Sequence, residues 1–569
     1  MSNTSKVLKD DVSIVLCGEA GQGILTVEHI LTRTLKASGY NLFATKEFMS
    51  RIRGGSNSTT IRVSSGPVRG YSDSMDLLIP LARGAVDHVR DRLDPETILI
   101  GEKSIFEGEY DGENGIEVPL SGIASRVGGA IYQNTVAAAV LCRLFGVGEE
   151  VLQEYLRGRF SDKGGEVVEK NLEAARKGYE IADGLDVRIE IGADRDLGDH
   201  VLLNGTQAVA IGALAGGCDF VSFYPMTPGT GVPTFLAQNS ERFGTIVEQA
   251  EDEIAAINMV VGAWYAGGRG MVSTSGGGFA LMVEGLSLAA MLETPAVIHL
   301  AQRPGPATGV PTRTEQGDLL FALHAGHGEF PRVIYSPGNI EECFNLTRMA
   351  FNVADRHQVP AIILTDQYLV DSYYNLPSLD VKSTPVDRRI VETGPGYRRY
   401  ELVDNGITPR GVPGYGSGLV YADSDEHDEE GHITEDFDVR RKMVDKRMAK
   451  GASLAGDSVE PLLLGNRDYD DLVIGWGSTH EMIAEAMLRL DLDAAAYLHF
   501  GQVYPVPGST GDHLERAGRT VVVEGNATGQ FNRLLKQETG MFADELILKW
   551  DGLPFSVELL TSRLGEVLG

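Results

Sequence analysis

Between residues 203 and 318 the chain repeats one local plan, and that plan limits the folds open to it. Short apolar runs stop at glycine- or proline-rich loops, and helices of small and aliphatic residues follow. FVSFY (220–224) leads into Pro225-Met226-Thr227-Pro228-Gly229-Thr230. GMVST (270–274) leads into Ser275-Gly276-Gly277-Gly278, and TPAVIHLAQ (294–302) delivers Arg303. Runs this short, apolar on both faces, suit strands buried on both sides of a parallel sheet. Their alternation with helices predicts an α/β fold. Open sheets of that kind place ligands at the C-terminal ends of the strands, on loops held by a rigid scaffold.

The rest of the chain sets the bounds. Its 569 residues predict three to four domains, at ~150 residues each. Hydrophobic residues at 43% and charged residues at 23% place it in the globular class. A formal charge of −30 argues against a nucleic-acid partner. The four cysteines, Cys17, Cys142, Cys218 and Cys343, form no CxxC pair. They read as reduced, mostly buried thiols and leave no four-cysteine set for an iron–sulfur cluster. The start, MSNTSKVLKDD, has no apolar signal region, and the apolar runs are too short or too glycine-interrupted to span a membrane. A cytoplasmic location is the expectation.

In chain order, VSIVLC (12–17) reads as a buried strand, GEAGQG (18–23) as a glycine turn, and 24–38 as an amphipathic helix. The GxxGxG spacing differs from the dinucleotide GxGxxG. It reads either as a tight turn or as backbone N–H groups offered to an anion. Arg51, Arg53, Gly54 and Gly55 lie in a polar loop suited to a polyphosphate or carboxylate, or simply to solvent. Helices over 132–144, 149–157 and 167–181 complete this unit. The polar stretch 183–200 reads as a linker.

In the second unit Glu251-Asp252-Glu253 opens a helix. The acids either cap it, or one of them is buried against a ligand's ring nitrogen. Arg303 and Arg313 share a proline-restrained loop and form either a carboxylate clamp or surface charge. His357 reads as a surface residue. The acidic run 423–432 suits either a divalent ion or a solvated loop, and FDVRRKMVDKRMAKGA (437–452) reads as a basic, exposed helix. Residues 470–569 form a third α/β unit, with His499 in a core or an interface.

The segments VLCGEAGQGI, SRIRGGSN, YPMTP, the Glu253 helix, SGGGFALMVEGL and AQRPGPATGVPTRTEQGDL together resemble the alpha subunit of 2-oxoacid:ferredoxin oxidoreductases. The form is the fused gamma–alpha one, nearest the 2-oxoglutarate enzymes (2-oxoglutarate synthase). The resemblance implies a multi-domain α/β chain. A gamma domain spans 1–182, a linker 183–200, and a pyrimidine-type thiamine-diphosphate-binding domain 201–380. An irregular connecting segment spans 381–465, and a transketolase C-terminal-like domain 466–569.

It implies further that Glu253 contacts the pyrimidine N1′ of thiamine diphosphate, that Thr227 contacts the substrate, and that Arg303 holds the substrate carboxylate. Arg313, by our inference from two arginines, suits a second carboxylate. The gamma domain is associated with coenzyme A, and the loop carrying Arg51, Arg53, Gly54 and Gly55 departs from the family's SRGG by the interposed Ile52-Arg53. The chain has no GDG…N segment for Mg²⁺ and the diphosphate, and no cluster cysteines. The resemblance therefore implies a beta subunit carrying Mg²⁺ and a [4Fe-4S] cluster, an (αβ)2 heterotetramer, and ferredoxin as acceptor. The implied reaction converts 2-oxoglutarate and CoA to succinyl-CoA and CO2, in either direction. The alternatives are the same chemistry on pyruvate or a branched-chain or aryl 2-oxoacid, and a non-catalytic scaffold subunit.

Overall fold

A computed structural model describes residues 6–19, 21–49, 55–110, 112–382 and 384–569. The chain divides into two compact units. One comprises Met1–Leu203, Ser372–Ser378 and Ser556–Glu558, and the other the remainder. Among the described residues no helix is long and apolar enough to cross a membrane. All four cysteines are free and buried.

The first unit is built on the strand Asp11–Glu19, whose seven inner residues are all buried. Lacking a polar face, it pairs on both sides: antiparallel with Ser56–Ser64 and parallel with Leu77–Pro80. The eight-stranded sheet runs Gly115–Glu117, Ile98–Gly101, Leu77–Pro80, Asp11–Glu19, Ser56–Ser64, Asn41–Glu47, Tyr373–Leu376, Val201–Asn204. Helices Ile24–Ala37, Gln133–Leu144 and Gly165–Ala182 bury Leu31, Leu35, Val136, Val140 and Ala175 in its main core.

Two features differ from the sequence reading. The stretch 183–200 carries a strand, Val187–Glu190, paired in parallel with Lys6–Lys9. Residues Ser372–Ser378 return to this unit, where Asn375 Oδ1 accepts the amide of Leu42 at 2.9 Å and Ser372 meets Thr45 at 3.1 Å. Both strands find their partners far away in sequence, so no local pattern assigns them.

The second unit holds two sheets. The seven-stranded one runs Ile246–Gln249, Phe220–Phe223, Gly270–Thr274, Ala296–Gln302, Pro360–Asp366, Val333–Tyr335, Gln502–Tyr504. Every pair is parallel except the last. The five-stranded sheet, in order, is Leu462–Gly465, Ala495–Phe500, Asp471–Trp476, Arg519–Glu524, Glu545–Leu548.

Two further expectations are corrected in and around the connecting segment. Helix Phe437–Gly456 is basic but not fully exposed: Lys446, Arg447 and Lys450 are buried. Lys446 Nζ donates to both oxygens of buried Glu293, at 2.9 and 2.7 Å, and Lys450 pairs with the same carboxylate. Arg399 donates to the Glu293 carbonyl at 2.6 Å. Against the upward push of burial, Lys450, Lys446 and Arg399 hold the Glu293 carboxyl down to about 2. His357 is buried, with Nε2 2.9 Å from Asp457. In the acidic run, Glu426 meets Arg447 at 2.8 Å and Glu429 meets Arg398 at 3.0 Å. Among the described residues no group of side chains is arranged to hold a metal ion.

Replacing Glu293 with Gln keeps the shape but strands two buried ammonium groups. Removing one partner of a buried charge set costs about 3–5 kcal/mol. Glu293→Gln should therefore lower the denaturant midpoint strongly, and a loss below ~1 kcal/mol would contradict the role given to this cluster.

Candidate functional site

The seven-stranded sheet reverses its order beside Phe220–Phe223. From Phe220–Phe223 the chain goes to a neighbour on one side, Ile246–Gln249, then returns to the other side at Gly270–Thr274, with Ala296–Gln302 next beyond it. Connections leave in opposite directions there, so the C-terminal ends of Phe220–Phe223 and Gly270–Thr274 part and open a crevice. The loop 224–230, the turn 275–278, the start of helix Glu253–Tyr265 and the loop 303–318 all gather around it.

The 224–230 loop is anchored from beneath. Ser273 Oγ donates to Gly229 O at 2.7 Å. Its proton is then used, so it accepts from His299 Nδ1–H at 2.8 Å. His299 Nε2 is left as the acceptor for Thr365 Oγ at 2.9 Å. Burial pushes the His299 pKa down to about 3, in keeping with this neutral tautomer. The three polar side chains come from adjacent parallel strands and are fully paired among themselves. Sequence reading passed over them; the signal was a polar residue inside each fully buried apolar run.

The three acids of the Glu253 helix separate into different jobs. Glu251 is exposed. Asp252 caps the helix, accepting from the Ala255 amide at 2.8 Å. Glu253 is 2% exposed, and its Oε1 has no hydrogen-bond partner. The carboxyl lies against Gly278, where a Cβ would stand 2.5 Å from Glu253 Oε1 and 2.1 Å from Thr274 Oγ1. Leaving a buried carboxyl oxygen unpaired costs about 1–3 kcal/mol.

Arg303 follows the strand Ala296–Gln302 and is 9% exposed. Its Nη1 donates to Thr227 O at 2.7 Å, which brings two of the expected residues together. Its Nε is buried without a partner. Burial lowers its pKa, and Asp318 opposes that shift. Arg313 sits farther along the same loop, half-buried, its stem against Gly552, where a Cβ would lie 3.2 Å from Arg313 Cβ. Asp318, which sequence reading quoted only as part of the loop, places its carboxyl at Gly276, where a Cβ would stand 2.4 Å from Oδ2.

Arg51, Arg53 and Gly54 lie outside the described residues. Gly55 is described at a left-handed φ of 86°, before the strand Ser56–Ser64.

Residues 211–446 match the family described as "Pyruvate flavodoxin/ferredoxin oxidoreductase, thiamine diP-bdg", and 13–181 match "Pyruvate ferredoxin/flavodoxin oxidoreductase". The chain is 31% identical to the 2-oxoacid:ferredoxin oxidoreductase subunit alpha of Sulfolobus sp, across 98% of this chain and 97% of that one. It is also 31% identical to the 2-oxoglutarate synthase subunit KorA of Methanothermobacter marburgensis, across 62% of this chain and 95% of that one. Among solved structures it is similar to a 2-oxoglutarate:ferredoxin oxidoreductase from Magnetococcus marinus with 2-oxoglutarate, coenzyme A and succinyl-CoA bound. That match has a TM-score of 0.91 and 31% identity, and covers 98% of this chain and 100% of that one.

Two glycine substitutions should separate the crevice from its scaffold. Gly278→Ala drives a methyl into Thr274 and Glu253 and should cost about 1–3 kcal/mol. Gly262→Ala, on the exposed face of the Glu253 helix with nothing within 4 Å, should gain up to about 1 kcal/mol. Thermal denaturation of both variants checks the opposite signs.

Proposed function

The chain belongs to the family of 2-oxoacid:ferredoxin oxidoreductase alpha subunits, and from that premise we propose that it forms the pyrimidine half of a thiamine diphosphate site that cleaves 2-oxoglutarate. The observation that carries the reading is the buried, unpartnered Oε1 of Glu253 at the strand-order reversal. A carboxyl so placed fits a ring nitrogen that shares a proton with it. When bound, thiamine diphosphate supplies the electron sink for breaking the bond between the carboxyl and keto carbons.

The chain's own residues then divide the remaining work. Arg303 keeps one nitrogen on Thr227 O and offers its other N–H groups to the substrate carboxylate. Thr227 positions its hydroxyl beside it. Arg313 is assigned the distal carboxylate, which favours 2-oxoglutarate. The Ser273–His299–Thr365 chain holds the loop without adding charge, because its imidazole stays neutral. The loop with Arg51, Arg53, Gly54 and Gly55 is assigned to coenzyme A.

A partner beta subunit would carry Mg²⁺, the diphosphate contacts and the [4Fe-4S] cluster, in an (αβ)2 assembly that reduces ferredoxin. Support for a covering partner comes from Ile254, Leu281 and Val310, large apolar residues that stay exposed on segments bordering the crevice. The relatives' names favour 2-oxoglutarate: one is a 2-oxoglutarate synthase subunit, and the Magnetococcus enzyme holds 2-oxoglutarate and succinyl-CoA.

In the purified two-subunit complex, Glu253→Gln should lower turnover at least about 100-fold while leaving the melting temperature near that of the parent. Among 2-oxoglutarate, pyruvate, a branched-chain 2-oxoacid and an aryl pyruvate, kcat/KM should be highest for 2-oxoglutarate. Full activity of the Gln variant would sink the role of Glu253, and preference for another acid would sink the substrate assignment.

A further inference from the structure

We propose that Asp318 is a positioning residue that competes with the anionic substrate for Arg303, and so sets how tightly the site holds a 2-oxoacid. The inference deepens the proposed function and rests on it.

The geometry is unusual for an aspartate at this position. Asp318 occupies the residue before helix Leu319–His324, where aspartate ordinarily caps, yet its side chain makes no capping bond. Its backbone is fixed instead. The Asp318 amide donates to Gln302 Oε1 at 2.9 Å, and Gln302 Nε2 donates to Thr365 O at 3.2 Å. Gln302 is fully buried and precedes Arg303, so this bond ties Asp318 to the end of the strand that carries the arginine. The carboxyl then turns to the glycine turn, where a Cβ on Gly276 would meet Oδ2 at 2.4 Å and Oδ1 at 2.7 Å. Only glycine leaves room for it.

Asp318 Oδ2 is buried without a partner, and so is Arg303 Nε. Each group shifts the other's titration, yet they form no ion pair among the described residues. The charged groups that face Asp318 are Glu315 on its own loop, Arg303 at the strand end, and Glu253 beyond the turn that both carboxyls abut. Gln530, from helix Gln530–Thr539, meets the adjoining backbone and is neutral. Burial first, then Glu315, pushes the Asp318 carboxyl up to about 6, with Arg303 pulling the other way.

The sign follows. Below pH 6 Asp318 is protonated, leaves the guanidinium free for a carboxylate, and can donate a hydrogen bond itself. Above pH 6 it is ionised, attracts Arg303 and repels an anionic substrate. The substrate's own carboxylates are already ionised throughout this range.

The test is steady-state turnover of 2-oxoglutarate by the purified two-subunit complex from pH 5.5 to 8.5. In the parent, KM should rise about tenfold between pH 6 and 8, while kcat changes far less. Asp318→Asn, neutral and still able to donate, should flatten that limb and lower KM at pH 8 about tenfold. Asp318→Ser should behave alike if the Asn variant folds poorly. A rising KM limb retained in both variants, or a loss confined to kcat, would overturn the inference. Absence of turnover on any 2-oxoacid by the parent complex would instead overturn the proposed function, and the inference with it.

Discussion

The reversal of strand order at Phe220–Phe223 is the constraint on which the rest of the second unit depends. It splits two neighbouring strand ends and lets four separate segments meet in one crevice. Meeting is not enough, because loops that end buried strands are free to choose many conformations. The choice is made one layer down, by polar side chains inside the sheet. Ser273, His299 and Thr365 sit on three adjacent parallel strands and fix the carbonyl of Gly229. Gln302 joins the Thr365 carbonyl to the Asp318 amide in the same layer. Each group would be costly to bury alone, and each is paired. The layer above reverses that rule. Glu253 Oε1, Arg303 Nε and Asp318 Oδ2 are buried and unpaired. A rigid, satisfied layer carrying an unsatisfied one is what a preorganised binding site requires.

Much of this was legible in the sequence, and for a physical reason. Short apolar runs punctuated by glycine and proline announce buried parallel strands wherever they occur, and the strands and helices of the 203–318 region follow that pattern. Glu253 was legible only as a choice. Glu251, Asp252 and Glu253 carry the same local signal, acid in a first helical turn, and depth of burial alone sorts them into a solvated residue, a cap and an unpaired carboxyl. Asp318 was hidden by the opposite effect: its position reads as a helix cap, and the structure declines that use.

The features that escaped the sequence share one cause, the distance along the chain to the partner. Asn375 bonds to Leu42 across 333 positions, so nothing near 375 marks it as part of the first sheet. The helix Phe437–Gly456 has the composition of a solvated basic surface, and only Glu293, 153 positions away from Lys446, turns it inward. His357 was read as surface for the same reason, since Asp457 stands 100 positions on. Local charge patterning gives the cost of exposing a side chain. It carries no information about a counter-charge brought in by the fold.

That long-range pairing also explains how a chain of net charge −30 presents a cationic group to an anionic substrate. A surface so acidic repels anions at long range, though salt confines that field to about 10 Å. Within the second unit, buried charges away from the crevice are cancelled by their own counter-charges. Glu293 is neutralised by Lys446 and Lys450, and Asp355 by Arg269 and Arg410, at 3.0 and 2.6 Å. Arg303 differs from those cations in that its Nη1 hydrogen bond goes to the backbone carbonyl of Thr227, which leaves its charge uncancelled. Asp318 is the nearby acid that could cancel it, and burial works against its ionisation. The charge Arg303 offers is therefore governed by how deeply one neighbouring carboxyl is buried more than by the composition of the chain.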